Sequence, residues 1–217
     1  MNVVGIALEE LYRIFHILNR AKFDNSLPEP VITIQKTKGR TLGHFTLDKT
    51  WKDKNNESSE ENSYYEINID PRWFNNRTPA EIAETLLHEM CHYYNKMNDI
   101  KDCSGNVHNK KFKSSAERVG LVVEKGKGVG YGYTSMSEAL RAFMDEVVKP
   151  NEVAFEYFRT APVKLSSGSG GRKKNVFKYT CPECGAEVKG KRDMTIKCGI
   201  CDVVMKMEDV DDSESED

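Results

Sequence analysis

Residues 78–97 read TPAEIAETLLHEMCHYYNKM, and this stretch decides the fold. It opens with a strong helix-start signal, in which Thr78 is the N-cap, Pro79 takes the first helical position and Glu81 completes a capping box. Apolar residues then recur at intervals of three and four positions. We therefore predict a helix over residues 79–97 that buries one face in the core.

The middle of this predicted helix contains an H-E-x-x-H pattern at residues 88–92. Because positions four apart lie on the same helix face, His88 and His92 can bind one Zn²⁺. Zinc lowers the pKa of a bound water to about 7, and the Glu89 carboxylate can then take the proton. Chance predicts only about 0.01 such patterns in a chain of this length and composition. The pattern therefore predicts a catalytic zinc site with Glu89 as the general base.

A catalytic zinc usually takes three protein ligands and leaves the fourth position to water. His108 is our candidate for the third ligand, because it precedes a predicted helix over 109–119 and a connecting loop can fold it back over the metal. Glu117 is the alternative third ligand. His16 and His44 are expected to be ordinary polar or packing histidines.

The rest of residues 1–165 predicts an α+β fold with a small antiparallel sheet. An amphipathic helix is predicted over residues 3–22, where apolar side chains keep helical spacing. A further helix is predicted at 135–148, opened by Ser135, and the glycine-rich residues 126–132 are predicted to form a loop. Three segments rich in β-forming residues supply the strands. These segments are 31–35 (VITIQ), 42–47 (LGHFTL) and 64–69 (YYEINI).

A second, smaller module follows a predicted flexible linker. Residues 166–171 read SSGSGG and have no side chain that can pack in a core. Residues 172–207 contain two Cys-x-x-Cys pairs with 13 residues between them, which is close to the spacing of a structural zinc ribbon. Four thiolates would complete the shell of a second zinc ion, and its binding would supply the folding energy of this module. The predicted ligands are Cys181, Cys184, Cys198 and Cys201.

The overall composition limits the class of protein. The 217 residues have a net charge of −2, 38% hydrophobic and 30% charged residues, and a mean hydropathy of −0.62. These values fit one medium-sized domain with an appendage and exclude a membrane-embedded protein. We expect a cytoplasmic monomer, in which a reducing compartment disfavours disulfides. Cys91 is then a small buried residue and Cys103 a loop thiol without an assigned role.

The small net charge conceals a sorted pattern. Residues 208–217 carry seven acids, which predicts a disordered tail, whereas residues 166–207 carry a net charge of +5. Basic side chains interleaved with aromatic ones predict binding of DNA, preferentially single-stranded, and the tail would compete as a phosphate mimic. The alternatives are a solvated basic face and a tail that only aids solubility. The candidate contacts to nucleic acid are Arg172, Lys173, Lys174, Lys178, Tyr179, Lys189, Lys191 and Arg192.

Five segments of the first module recur together, in this order, in one known family. They are FDNSLP (23–28), LGHF (42–45), EINI (66–69), TLLHEMCH (85–92) and VHNKKF (107–112). The combination resembles the SprT-like family of zinc metalloproteases. The resemblance implies a zincin-like fold with His88, His92 and His108 as zinc ligands. It also implies Glu89 as the general base and proteins crosslinked to DNA as substrates, although Asn109 departs from the glycine that the family often has there.

These observations predict a zinc-dependent endopeptidase that acts on DNA-associated proteins. An extended substrate is expected to add to an exposed sheet edge and so present its carbonyl to the metal. Two alternatives stay open, a nucleic-acid-binding adaptor with an idle protease domain and a protease whose ribbon docks a protein. Peptide hydrolysis also needs a group that stabilises the oxyanion. The candidates for this role are Tyr93, Tyr94, Tyr131 and Tyr133.

Overall fold

The structure is a computed structural model that describes residues 2–52, 54, 63–160 and 177–208. The chain forms two compact units, Met1–Pro162 and Val163–Asp217. The predicted linker at 166–171 and nearly all of the predicted tail at 208–217 lie outside the described residues, so these two assignments stay predictions. No described helix is both long and apolar enough to cross a membrane.

Two long helices form the centre of the first unit, as predicted. Helix α1 (Val3–Lys22) is capped by the side chain of Asn2. Helix α2 (Pro79–Met97) begins at Thr78 with the complete capping box. Each helix packs one apolar face into a common core. The burial of these faces offsets the conformational entropy that the chain loses when the helices form. The core residues of these helices include Leu11, Ile14, Phe15, Leu18, Ile82, Leu86, Leu87 and Met90.

A three-stranded sheet packs against these helices. It consists of β1 (Val31–Ile34), β2 (Gly43–Phe45) and β5 (Glu66–Ile69), with β5 in the middle. β2 runs antiparallel to β5 but β1 runs parallel to it, so the prediction of a purely antiparallel sheet is wrong. Alternating apolar residues identify a strand but not the direction of its neighbours. The short strands β3 (Trp51–Lys52) and β4 (Ser63–Tyr64) form a separate antiparallel pair.

A second sheet follows α2 in the chain. Its strands are β6 (Cys103–Ser104), β7 (Val107–His108), β8 (Leu121–Gly126) and β9 (Gly130–Met136), in the order β6-β7-β9-β8. The hairpin of β8 and β9 replaces most of the loop predicted at 126–132. Gly130 makes this possible, because its φ of +62° favours glycine and a β-carbon there would collide with the carbonyl oxygen of His108.

Two shorter helices complete the first unit. Helix α3 (Lys110–Arg118) lies within the predicted range, and the side chain of Asn109 caps its first turn. Helix α4 (Glu138–Phe143) begins at Ser137 and not at the predicted Ser135, because Ser135 pairs with β8 in the hairpin. The last part of the predicted helix is a π-helical turn, Met144–Val148.

The second unit contains a small antiparallel sheet. Strand β10 (Phe177–Thr180) lies between β11 (Glu187–Gly190) and β12 (Lys206–Glu208). The buried residues of the second unit are Tyr179, Cys181, Cys198 and Met205. So few apolar residues bury little surface, which is typical of modules that depend on a metal or on disulfides.

Candidate metal centres

Three histidines from two elements meet at one point of the first unit. α2 presents His88 and His92 on one face, and β7 presents His108; their ligand nitrogens lie within 4.8 Å of one another. The Nε2 atoms of His92 and His108 are 3.1 Å apart. Two nitrogens bound to one tetrahedral zinc at 2.0–2.1 Å would be about 3.3 Å apart. The histidine cluster therefore fits a zinc ion in both donor type and spacing.

The other ring nitrogen of each histidine already has a partner. The Nδ1 atoms of the three rings lie 3.2 Å from Thr134 Oγ1, 2.7 Å from Asp102 Oδ2 and 3.1 Å from Val129 O, respectively. Metal-binding histidines usually donate this second N–H to such an acceptor, which leaves the opposite nitrogen unprotonated. The Nε2 lone pairs of His92 and His108 can therefore face one metal ion, and that of His88 can do so when the Thr134 hydroxyl acts as the acceptor.

Asp102 is a buried carboxylate that supports His92. It also accepts a hydrogen bond from Asn95 Nδ2 at 3.0 Å. Burial lowers the pKa of His92, but the hydrogen bonds with Asp102 and Cys103 and the negative charges of Glu89 and Asp102 together raise this pKa to about 10. Burial likewise opposes ionisation of Asp102, and the same bond holds its pKa below the usual value. A zinc ion would displace the proton of His92 on Nε2, while the hydrogen bond with Asp102 would keep the other proton on Nδ1.

Phe112 packs against all three imidazoles. Its ring centroid lies 4.7 Å from that of His88 and 4.5 Å from those of His92 and His108, and the ring is fully buried in α3. The phenyl ring therefore restricts the rotation of all three imidazoles and excludes water from one side of the cluster. Sequence reasoning placed Phe112 in a family segment without giving it a role, and it missed Thr134, Asp102 and Val129 altogether.

Glu89 lies next to the histidine cluster and faces strand β2. A β-carbon on Gly43 would lie only 3.3 Å from Glu89 Oε1, and the backbone of Phe45 hydrogen-bonds to the Glu89 carboxylate. Burial raises the pKa of Glu89 to about 7, although His92 and the bond from Phe45 favour the ionised form. A carboxyl group with a pKa near neutrality can both take up and return a proton at physiological pH.

Gly132 holds the backbone of β9 close to His108. A β-carbon at this position would lie 2.7 Å from His108 Nδ1, where it would push the ring out of place. We expect Gly132→Ala to weaken zinc binding at the histidine cluster by about 10- to 100-fold, the usual effect of disturbing the support of a ligand. Chelator competition measures this affinity. The matched control is Gly5→Ala in α1, where the added carbon meets only ordinary contacts at 3.5 Å; equal loss in both variants would contradict the assigned role of Gly132.

The structure separates the remaining candidate ligands from the cluster. Glu117, the alternative third ligand, lies on α3 with a half-exposed side chain that pairs with Lys113 at 3.5 Å. His16 pairs with Glu29 at 3.0 Å on the surface, and His44 is exposed on β2. The structure thus brings His108, and not Glu117, to the two histidines of α2.

The four tyrosines considered for the oxyanion lie in different surroundings. Tyr93 is buried in the core, and Tyr94 lies under an arginine side chain at 4.4 Å. Tyr131 faces two lysine amino groups at 5.4 and 5.9 Å, and Tyr133 is 58% exposed. Among the described residues, none of these rings stacks against the three imidazoles. The oxyanion role of the tyrosines stays a prediction.

The free cysteines divide into a sulfur cluster and two separate thiols. The cluster sulfurs lie within 4.8 Å of one another, and those of Cys184 and Cys198 are 3.6 Å apart. Two sulfurs at 2.3 Å from a tetrahedral zinc would be about 3.8 Å apart, so this group fits a metal ion. Cys91 is buried, as predicted, and Cys103 is half-buried beside His92. The cluster consists of Cys181, Cys184, Cys198 and Cys201.

Backbone hydrogen bonds shape the two Cys-x-x-Cys turns of the candidate metal site. Each Cys-x-x-Cys pair forms a tight turn, closed by hydrogen bonds from Gly185 N to Cys181 O and from Asp202 N to Cys198 O. Hydrogen bonds from the backbone of Cys201 and Ile200 lower the pKa of the Cys198 thiol to about 7. The thiolate is the form that binds zinc, so the second turn favours the ligand state at Cys198. The neighbouring cysteine sulfurs have the opposite effect on the other member of that turn, because Cys184 raises the pKa of Cys201 to about 12.

The prediction that Tyr179 contacts nucleic acid is wrong. Its side chain is only 2% exposed, and its hydroxyl donates to Lys191 O at 2.6 Å and accepts from Met194 N at 3.0 Å. The small sheet uses this ring as the largest part of its core, and a ring buried in this way has no face on which a base can stack.

Two of the basic residues predicted to contact nucleic acid in the second unit interact with neighbouring side chains. Lys178 of β10 lies opposite Lys189 of β11 in the strand register. The amino group of Lys178 also lies 2.6 Å from a carboxylate oxygen of Glu187. The guanidinium of Arg192 lies over the half-buried ring of Phe177 at 5.2 Å. Three further candidates, Arg172, Lys173 and Lys174, lie outside the described residues.

Comparison with known proteins agrees with the geometry of the first unit. Residues 11–131 match the SprT-like family. No curated protein and no solved structure matches the chain. The matched range is more than half of the chain and contains the three clustered histidines and Glu89. The chain therefore belongs to the SprT-like family.

Proposed function

We propose that this protein is a zinc-dependent endopeptidase of zincin-like fold that cleaves DNA-associated proteins, including proteins crosslinked to DNA. The observation that carries the proposal is the arrangement of the three histidines. Each Nδ1 has a hydrogen-bond partner, the rings offer ligand nitrogens within 4.8 Å of one another, and the Nε2 atoms of His92 and His108 are 3.1 Å apart. A catalytic zinc site needs three such ligands and a nearby base. Glu89 supplies that base from the next position of the same helix.

The chain would supply ligands, a base and a shielded site for hydrolysis. Zinc, when bound by His88, His92 and His108, polarises a substrate carbonyl and lowers the pKa of water to about 7. Glu89 would then take the proton from the attacking water and return it to the leaving amine, as a general base and acid. Phe112 holds the imidazoles in place throughout.

The substrate is proposed to bind along strand β2. This strand is at the edge of its sheet, since β5 is its only neighbour among the described strands, and it packs next to α2 at Glu89. An extended peptide that pairs with β2 would run past Glu89. Backbone hydrogen bonds would hold such a peptide with little dependence on its sequence. This binding mode suits a protease whose substrates have in common their association with DNA and not an amino-acid sequence.

The second unit is proposed to be a zinc ribbon that brings the protease to single-stranded DNA. Its support is the sulfur cluster, the predominance of basic residues in this part of the chain, and the half-buried Phe177 beside Arg192. Phosphates would meet the lysines and arginines, and a base could stack only on Phe177, because Tyr179 is buried.

A second candidate function for the ribbon is docking of a protein. Ile200 is 81% exposed at the tip of the second cysteine turn, and Val204 is 51% exposed nearby. Exposed apolar residues at a turn suit a protein contact better than a phosphate contact. Under this alternative the protease activity is unchanged but its substrates are selected through the ribbon.

The test is cleavage of a DNA-binding protein by the full chain, with and without single-stranded DNA. We expect cleavage that is faster with DNA, and DNA affinity that falls as salt rises, because phosphate contacts release counterions. Cleavage that is indifferent to DNA, together with weak and salt-insensitive DNA binding, would favour the protein-docking ribbon. Tight DNA binding with no cleavage of any protein would instead favour the idle adaptor and contradict the proposed function.

A further inference from the structure

The support of His88 differs from that of the other two histidines in the cluster. Those two donate to a carboxylate and to a backbone carbonyl, whereas His88 Nδ1 faces the hydroxyl of Thr134 at 3.2 Å. A hydroxyl can donate as well as accept. By itself, Thr134 therefore does not decide which nitrogen of His88 carries the proton, and a further group is needed to set the direction of this hydrogen bond.

Glu84 is placed to be that group. It lies on α2 one turn before His88, is only 6% exposed, and holds Oε1 3.5 Å from Thr134 Oγ1, a long hydrogen bond. Among the described residues, Thr134 is the only hydrogen-bond partner of this carboxyl group. Burial raises the pKa of Glu84, and the positive charge of Arg77 only partly opposes this, because Arg77 donates its hydrogen bond to Glu81 O. A buried carboxyl group with one partner is costly for a purely structural role.

We propose that Glu84 and Thr134 are positioning residues of the metal site, and that Glu84, acting through the Thr134 hydroxyl, keeps the proton of His88 on Nδ1. This inference rests on the proposed metal function of the histidine cluster. Thr134 has one hydroxyl hydrogen. When that hydrogen goes to Glu84, Thr134 can only accept from His88, whose Nε2 is then unprotonated and free to bind the metal.

The reverse arrangement shows what Glu84 prevents. Without an acceptor beyond it, the Thr134 hydroxyl can donate to His88 Nδ1, and the ring proton then sits on Nε2, where it blocks metal binding. Asp102 keeps a proton of His92 on Nδ1 without a relay, because an ionised carboxylate can only accept a hydrogen bond. Glu84 lies too far along α2 to reach the ring itself and uses a hydroxyl from β9 as a relay.

Strand β9 thereby supports two of the three ligands. Thr134 is paired with Val123 of β8, and Gly132, two positions earlier on the same side of the strand, lies against the ring of His108. A strand held in register by a hairpin fixes a hydroxyl more precisely than a loop would. The site is therefore built from α2 on one side and from β9 on the other.

The test compares hydroxyl and acceptor variants of the full chain. We expect Thr134→Val, which keeps the shape and removes the hydroxyl, to weaken zinc binding at the histidine cluster by about 10- to 100-fold, and Thr134→Ser to restore it. Glu84→Leu should cause a similar loss, and Glu84→Gln a smaller one, because the amide oxygen can still accept. Zinc affinity is measured by chelator competition, and the thermal unfolding of the metal-free variants reports any purely structural effect.

A double variant tests the relay itself. If Glu84 acts through Thr134, adding Glu84→Leu to Thr134→Val should cost no further zinc affinity, whereas independent roles would give additive losses. Additive losses, or an unchanged affinity in Thr134→Val, would overturn the inference. The His108→Ala protein gives the zinc held by the second unit alone. If the wild type holds no more zinc than this variant, the metal site itself is absent and the proposed function fails first.

Discussion

The Glu89→Gln protein is expected to retain its zinc and to lose protease activity by about 10²- to 10⁴-fold, the range attributed to general acid–base catalysis. Glutamine has the same shape as glutamate and can still accept the hydrogen bond from the backbone of Phe45. It cannot take a proton from water. Since burial already disfavours the ionised carboxylate of Glu89, the neutral amide should not reduce the stability of the fold.

Turnover of a protein substrate, zinc content and thermal unfolding are measured on the same preparation. The matched control is Glu117→Gln, which changes a half-exposed glutamate on α3 that pairs only with Lys113 among the described residues. This variant should cleave at the wild-type rate. Undiminished cleavage by Glu89→Gln would contradict the assigned base, and loss of zinc would show that Glu89 supports the metal site and is not specific to the proton transfer.

The second large effect is expected from His108→Ala, which should lower the zinc content from about two to about one ion per chain. Two histidines on one helix leave a metal with too few protein ligands for tight binding. The remaining ion would belong to the four cysteines of the second unit, which do not include His108. Activity should fall with the zinc content.

Metal analysis after dialysis against a weak chelator makes the measurement. His16→Ala is the control, because His16 lies on the surface of α1 and pairs with Glu29. It should keep both ions. Retention of both ions by His108→Ala would show that the third ligand is another residue, whereas loss of both would show that the variant has unfolded, which its thermal unfolding would confirm.

Local signals were sufficient to predict the main helix and the residues that it carries. The capping box at Thr78 and the apolar spacing of α2 lie within 20 residues of chain, so their effects do not depend on distant contacts. The i, i+4 spacing of His88 and His92 then follows from helix geometry alone. The two Cys-x-x-Cys turns were predictable for the same reason, since each turn is formed by residues that are adjacent in the chain.

Distant contacts explain what the sequence did not reveal about the sheets. The parallel pairing of β1 with β5 requires β5 to insert between two strands that come earlier in the chain. Ser135 has a side chain that commonly caps helices, yet it lies in strand β9, where it is paired with Val122 of β8. In both cases a contact made in the folded state outweighs a local preference.

What the sequence by itself determined is the family, the helix α2, the two sets of candidate metal ligands and the position of Glu89. Only the tertiary structure decided which groups support them: Asp102, Val129 and Thr134 at the three rings, and Phe112 packed against all of them. It also decided that Tyr179 is a core residue and not a stacking surface. The physical reason is that ligand spacing is a local property of a helix or a turn. Hydrogen-bond partners and burial depend on residues that are far apart in the chain and meet only when it folds.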